Sequence, residues 1–129
     1  MNFDTKRLPV ARDHVAPDGS DVRILLGLEL GGMAHFELGP GRTSGPVAHR
    51  TVQEIWYLLK GRGEMWRKQG EREDIVPLEP GTCISIPVGT HFQFRSFGYK
   101  PLEAIGVTMP SRPEAGEAYE VEGKWPRSL

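Results

Sequence analysis

A histidine and a glutamate five residues apart are the side chains of this sequence whose types and spacing best fit chemistry. His49 and Glu54 lie in the segment GPVAHRTVQEIWYLLKGRG, residues 45–63, where an apolar run follows the glutamate and ends at a glycine-rich turn. An imidazole and a carboxylate can bind a divalent metal together or act as a general acid–base pair. The residue two before His49, where a partner histidine would stand, is Val47. Two hypotheses therefore stay open: a metal site lacking one ligand, and a metal-free acid–base pair.

Two further histidines are candidates for the same chemistry. His35 lies in the run MAHFEL, where period-2 alternation puts it on one face of a strand with Glu37. His91 begins the run HFQFRS, in which Phe92 and Phe94 share the face opposite to it. Burial favours the two phenylalanines on the inward face. For both histidines the alternative interpretation is an ordinary hydrogen-bonded or surface side chain.

Short alternating runs separated by turn residues predict the elements that position these side chains. The 16 glycines and 11 prolines are spread along the chain, which favours many short strands joined by tight turns. The GG pair after the first run predicts a hairpin turn. We predict strands over residues 22–30, 33–38, 54–60, 64–69, 74–79, 82–88, 91–96 and 102–109. Strands of this number and spacing are typical of a β-sandwich or a barrel.

Length, charge and composition narrow the class of protein. A chain of 129 residues suits one domain with a single core. With a net charge of −1 and no basic block, neither nucleic acid nor a membrane surface is expected as a partner. No apolar run approaches the ~18 residues of a membrane span, and the N-terminus lacks the apolar core of a signal peptide. We therefore expect a cytoplasmic protein, in which the single cysteine, Cys83, is a small buried hydrophobe.

The segment around His49 and Glu54 resembles the first motif of the cupin superfamily, in particular its small single-domain conserved-barrel (cupin 2) group. That motif has the form G-x5-H-x-H-x3-4-E-x6-G. Glu54 falls at the glutamate position, Gly61 at the closing glycine seven residues on, and His49 at the second histidine, whereas Val47 stands at the first. The approach GPGRTSGPVAH also fits the turn that leads into this motif.

A later stretch resembles the second cupin motif, G-x5-P-x-G-x2-H-x3-N. Three positions match, at Gly81, Pro87 and Gly89. Aligned without a gap, the histidine position holds Phe92 and the asparagine position holds Ser96. A one-residue deletion would instead bring His91 to the histidine position. We favour the ungapped alignment because it keeps Phe92 and Ser96 on the inward face.

The resemblance covers roughly residues 30–109 and implies an all-β fold, a double-stranded β-helix or jelly-roll cupin barrel with irregular terminal segments. We expect a single domain over residues 1–129 with its barrel core at about residues 20–110. The terminal segments are expected to wrap the barrel or contact a partner. Because cupins are often dimeric, we also expect a homodimer.

The resemblance also implies where the site lies. Cupin metals are usually held by three histidines and a glutamate, and His49 and Glu54 occupy two of those positions. We predict this pair as the catalytic residues. The cofactor is either absent or one divalent ion, Fe, Mn, Ni or Zn, with His91 as an added ligand. The residues predicted to line the pocket are Val47, Trp56, Leu58, Phe92 and Phe94.

Three functions remain open, and the sequence does not identify a substrate. The first is a small-molecule-binding cupin, enzymatic or not, whose metal site is incomplete because Val47 and Phe92 replace ligands. The second is a metal-dependent cupin enzyme, similar to a sugar-phosphate isomerase or a dioxygenase, with His49, Glu54 and His91 as ligands. The third is a non-catalytic sensing or interaction domain, which no residue supports directly. Metal content of the wild type and of His49→Ala distinguishes the first two.

Overall fold

The computed structural model of the chain describes residues 3–111 and 116–128, and all regular secondary structure in that part is β. The strands are β1 (His14–Val15), β2 (Asp21–Leu28), β3 (Gly31–Leu38), β4 (Val47–His49), β5 (Gln53–Lys60), β6 (Arg62–Gln69), β7 (Arg72–Leu78), β8 (Cys83–Ile86), β9 (His91–Phe97), β10 (Leu102–Met109) and β11 (Ala118–Glu120). Every predicted run is a strand, with ends within about two residues of those expected. No helix of the described part is long and apolar enough to cross a membrane.

The strands form two antiparallel sheets that enclose the core. Sheet A has the order β1-β2-β3-β10-β5-β8, and sheet B has the order β11-β4-β9-β6-β7. Trp56 and Leu58 of β5 and Phe92 and Phe94 of β9 belong to one buried cluster that both sheets contribute to. Facing sheets with a shared apolar layer are a sandwich closed as a jelly-roll barrel. The predicted all-β fold is confirmed.

Alternation along β5 decides which side chains reach the interior. Glu54, Trp56 and Leu58 are buried, whereas Ile55 and Tyr57 between them are exposed. Successive side chains of a strand point to opposite faces, so the spacing of two residues puts the glutamate on the same inner face as the tryptophan. The predicted catalytic carboxylate is thus an interior group set at the end of an otherwise apolar row.

The first hairpin turns earlier than predicted. The turn is at Glu29 and Leu30, and the predicted turn residues Gly31 and Gly32 begin β3 instead. Gly32 pairs with Gly27 across the hairpin. A Cβ on Gly27 would lie 2.7 Å from Ser111 Oγ and 3.5 Å from Gly32 Cα. These glycines therefore permit a close approach of the hairpin to the chain that follows β10 and do not form the turn.

Cys83 is exposed, so its predicted burial was wrong. It alternates along β8 with Ile84 and Ile86, and those two side chains take the inward positions. The apolar character of the run CISIPV did not reveal which of its two faces is buried.

The terminal segments are tied to the barrel and contribute two short strands, β1 and β11. On the C-terminal side, Gln93 of β9 is fully buried beneath the segment that follows β11. Its Oε1 accepts hydrogen bonds from the Lys124 and Trp125 amides, both at 2.9 Å. Its Nε2 donates to the Ser44 and Trp125 carbonyls, both at 2.8 Å. One side chain thus fastens this segment to sheet B.

Candidate functional site

A cavity of about 510 Å³ lies between the two sheets. Its walls come from β1 to β5 and from β9 to β11, together with residues 16–18, 111 and 116–117. Most lining side chains are apolar, and the titratable ones are His14, Asp18, His49, Glu54 and Glu117. A concave, largely apolar site of this volume with a few convergent polar groups is typical of small-molecule binding.

The predicted catalytic pair lies in this cavity and is in direct contact. His49 ends β4, and Glu54 is the second residue of β5, so the short link between these strands brings the two together. His49 Nε2 lies 3.1 Å from Glu54 Oε2. Trp56 Nε1 donates to the other carboxylate oxygen, Glu54 Oε1, at 3.3 Å. The carboxylate is therefore fixed between an imidazole and an indole.

The other nitrogen of the imidazole has no partner. His49 Nδ1 is buried and makes no hydrogen bond within the described residues. Glu117 Oε1 is 4.0 Å away from it, beyond hydrogen-bonding distance. A buried nitrogen without a partner costs free energy, and such groups are found where a ligand or a water completes the site.

Glu117 is held in place by the turn between β4 and β5. Its Oε1 accepts hydrogen bonds from the Thr51 and Val52 amides, at 2.6 and 2.7 Å, and its Oε2 accepts one from Thr51 Oγ1 at 2.9 Å. The carboxylate therefore ties the start of β11 to the loop between His49 and Glu54.

Asp18 supplies a third carboxylate from the segment between β1 and β2. Its side chain is buried, and its Oδ1 accepts hydrogen bonds from the Ser20 amide at 2.8 Å and from Ser20 Oγ at 2.7 Å. The sequence Asp-Gly-Ser has strong turn chemistry, and a turn forms here with Gly19 at a φ of 95°. The aspartate thus forms part of both the turn and the cavity wall.

Electrostatics in the cavity shift three pKa values. Burial disfavours the charged form of His49, but the hydrogen bond and the charge of Glu54, with smaller contributions from Glu117 and Asp18, outweigh it and raise the His49 pKa. Burial raises the pKa of Asp18, although the hydrogen bonds from Ser20 oppose the shift. Burial also opposes ionisation of Glu117, but the hydrogen bonds from Thr51 and Val52 prevail and lower its pKa.

The predicted pocket residues divide into a wall and an underlying core. Val47, Trp56 and Phe92 line the cavity, with Phe92 stacked on His49 at a ring-centroid distance of 6.0 Å. Leu58 and Phe94 are buried in the apolar cluster and do not line the cavity. They support the cavity from behind, since Phe94 packs edge-on against Trp56 at 5.1 Å.

The structure does not bring His91 to the catalytic pair. Phe92 is 2% exposed and pairs with Val47 across the β4–β9 ladder, so the two positions that resemble cupin histidines face each other as apolar side chains. His91 precedes Phe92 in β9 and therefore points to the opposite face of sheet B. This geometry agrees with the ungapped alignment.

His35 and Glu37 form a second cluster, on the face of sheet A turned away from the cavity. His35 Nε2 lies 2.9 Å from Glu103 Oε1, and Glu103 is the cross-strand neighbour of Glu37. Ligand atoms of these three residues lie within 4.8 Å of one another, close enough to hold a metal ion. The Arg23 guanidinium lies against this cluster, with Nη1 3.0 Å from Glu37 Oε1 and 3.5 Å from His35 Nδ1.

Sequence reasoning missed Asp18 and Glu117. Both are far from the motif in the chain, and each lies in a segment without strand periodicity. The one local signal was the aspartate of the Asp-Gly-Ser turn, which indicated a turn and carried no information about the cavity.

Comparison with known proteins identifies the class of this barrel. Residues 34–108 match a family model described as "Cupin domain". No curated protein sequence matches the chain significantly.

Several solved structures share the fold at low sequence identity. The capsular polysaccharide assembling protein CapF from Staphylococcus aureus superposes with a TM-score of 0.73 at 16% identity, over 89% of this chain and 35% of that one. KdgF from Halomonas sp. gives a TM-score of 0.66 at 19% identity, over 78% and 88% of the two chains. An uncharacterised double-stranded β-helix protein from Klebsiella pneumoniae gives 0.66 at 17%, over 84% and 91%. The chain spans about a third of the length of the CapF structures that it matches.

Proposed function

This chain belongs to the cupin family, and we propose that it binds a small molecule in the barrel cavity and transfers protons on it through His49 and Glu54, without a metal ion in the barrel. The observation that carries the proposal is the contact of 3.1 Å between His49 Nε2 and Glu54 Oε2 in a cavity where His49 Nδ1 has no partner.

The geometry of the pair assigns a role to each group. With the Nε2 hydrogen directed at Glu54, the free Nδ1 of a neutral imidazole is the basic atom. Glu54 orients the ring and stabilises the imidazolium that forms when Nδ1 takes a proton. Trp56 in turn fixes the Glu54 carboxylate through its indole N–H. A bound molecule with an acidic C–H, N–H or O–H next to Nδ1 would lose that proton and could regain it at another position.

The donor set of the cavity does not suit the metal that cupins commonly hold. Two of the ligand positions are the apolar Val47 and Phe92, which pack against each other. Of the atoms that remain, His49 Nε2 is directed at Glu54. Within the described residues, the one cluster with three ligand atoms inside 4.8 Å lies outside the cavity, at His35. The proposed proton transfer therefore uses no metal ion in the barrel.

The proposal is tested by proton exchange on molecules that bind. Ketones of about ten non-hydrogen atoms, such as phenylacetone, are screened for binding by ligand-detected NMR and then incubated with the protein in D₂O. We expect deuterium to enter next to the carbonyl, with the rate lowered about 100-fold or more in His49→Asn and in Glu54→Gln. The control is His91→Asn, because His91 points to the opposite face of sheet B and does not line the cavity.

Exchange at the wild-type rate in His49→Asn would refute the proposed role of the pair. Binding without any exchange would leave a non-catalytic sensing function as the better account of the cavity.

A metal-dependent enzyme is the second candidate, favoured by the cluster of His35, Glu37 and Glu103. Elemental analysis of protein purified without added metal distinguishes the two sites. A stoichiometric ion that is lost in His35→Ala would place the metal at this cluster, and an ion that is lost in His49→Ala would place it in the barrel. The absence of a bound ion from the purified protein would support the metal-free proposal.

A further inference from the structure

We infer that the cavity selects a ligand with a positively charged amine and an apolar body. This inference rests on the proposed function, since it concerns the ligand of the same site. It follows from the charges and the apolar surface of the residues that line the cavity.

Acidic groups outnumber basic ones in the cavity. Asp18, Glu54 and Glu117 reach it from three separate parts of the chain. Consider His14 as neutral, His49 as charged and Asp18 as protonated. The charges of Glu54, Glu117 and the imidazolium then sum to one net negative charge. If Asp18 is ionised, the excess is two. A low-dielectric cavity makes such an uncompensated charge costly, and a cationic ligand would offset it.

An anionic ligand finds no counter-charge of the usual kind. Neither arginine nor lysine is present among the described residues that line the cavity. Arg50, directly after His49, is turned outward, where its guanidinium carbon lies 4.6 Å from the Tyr119 ring centroid and its Nε donates to the Gly116 carbonyl. Phosphates and carboxylates are typically bound through such side chains, so a sugar phosphate suits this cavity poorly.

The position of the polar groups indicates the shape of the ligand. Aliphatic and aromatic side chains from β2, β3 and β9 form the rest of the wall, among them Ile24, Leu26, Phe36 and Phe92. Apolar walls favour an apolar body by roughly 25 cal/mol for each Å² removed from water. The amine would lie near Glu117 and Asp18, and the body would contact the aromatic side.

Three molecules of equal length that differ in one terminal group test the inference. Binding of phenethylamine, 2-phenylethanol and phenylacetate is measured by calorimetry at pH 7 and low salt. We expect phenethylamine to bind at least about tenfold more tightly than 2-phenylethanol, and phenylacetate more weakly than both. In Asp18→Asn and in Glu117→Gln the preference for the amine over the alcohol should fall by about threefold or more. Asp18→Asn keeps the oxygen that accepts both hydrogen bonds from Ser20. Glu117→Gln keeps an oxygen for the Thr51 and Val52 amides and loses only the acceptor for Thr51 Oγ1.

The control is Glu79→Gln, which removes one carboxylate that pairs with Arg62 on the surface and does not line the cavity. It should leave the preference unchanged. If 2-phenylethanol or phenylacetate binds as tightly as phenethylamine, or more tightly, the inference is overturned and the proposed function still stands. If none of the three binds to the wild type, the cavity is not a small-molecule site of this kind, and the proposed function fails as well.

Discussion

At the scale of single residues, the environment of His49 is the feature that distinguishes this barrel. One imidazole contacts a fixed carboxylate at Glu54 and lies near two more, at Asp18 and Glu117. Groups placed so that their pKa values move apart are typical of acid–base sites. The raised pKa of His49 and the lowered pKa of Glu117 follow this pattern.

The same shifts predict how stability depends on pH. The pKa of His49 is higher in the folded protein than in the unfolded chain, so its contribution is fully present below about pH 6.5 and is lost as pH rises through the folded pKa. Each pH unit between the two values removes up to about 1.4 kcal/mol. We expect the difference in free energy of unfolding between wild type and His49→Gln to shrink as pH rises above about 6.5, as measured by urea denaturation.

Glu54→Gln tests whether Glu54 is the cause of this pH dependence of stability. Because Glu54 supplies the hydrogen bond and the largest charge that favour the imidazolium, its removal should flatten the pH dependence. A dependence that stays steep in Glu54→Gln would mean that another group is responsible. Asp18 acts in the same direction at lower pH, since its raised pKa makes ionisation unfavourable as pH increases above about 4.

At the scale of elements, the segment after β11 depends on a single buried side chain. Gln93 makes four hydrogen bonds to backbone groups, three of them to Lys124 and Trp125. Gln93→Ala should lower the free energy of unfolding by about 2–4 kcal/mol, because buried amide groups lose their partners. Amide hydrogen exchange should also accelerate over residues 123–125.

The control for this change is Gln53→Ala, since Gln53 is an exposed glutamine of β5. Its stability should stay within about 0.5 kcal/mol of the wild type. Slow exchange at residues 123–125 in Gln93→Ala would contradict the view that this side chain fastens the segment.

At the scale of the whole molecule, the outer face of sheet A is a candidate interface. Ile55, Tyr57 and Leu59 alternate along β5 with the buried row and are 38–50% exposed. Their cross-strand neighbours on β10 include Ile105 opposite Tyr57. Exposed apolar side chains grouped on a sheet commonly mark a contact surface, so we propose this part of the face as the interface of the expected homodimer.

The dimer is tested by sedimentation equilibrium. Twice the mass of 14.4 kDa is expected for the wild type, and Tyr57→Lys should shift the population to monomer because a charge would be buried without a partner. Tyr99→Lys serves as the control, since Tyr99 is fully exposed in the turn after β9. A wild type that is monomeric at high concentration would contradict the predicted assembly.

The strands, the barrel and the proximity of His49 to Glu54 could be predicted from local patterns in the chain. Strand periodicity is a local property, so the inward positions of Glu54, Trp56 and Phe92 could be predicted from alternation alone. The spacing of His49 and Glu54 likewise depends on one short connection between neighbouring strands. The sequence also showed that Val47 and Phe92 stand at two positions where cupins have metal-binding histidines.

Only the tertiary structure decided which other charges surround that pair. Asp18 and Glu117 lie in irregular segments, whose side chains take their positions from hydrogen bonds to Ser20 and Thr51 and not from any periodic pattern. The contact of His35 with Glu103 likewise depends on tertiary structure, because it requires the pairing of β3 with β10, and the two residues are 68 positions apart. Charge interactions depend on distance in space, so the acidic character of the cavity arises when the two ends of the chain close over the barrel.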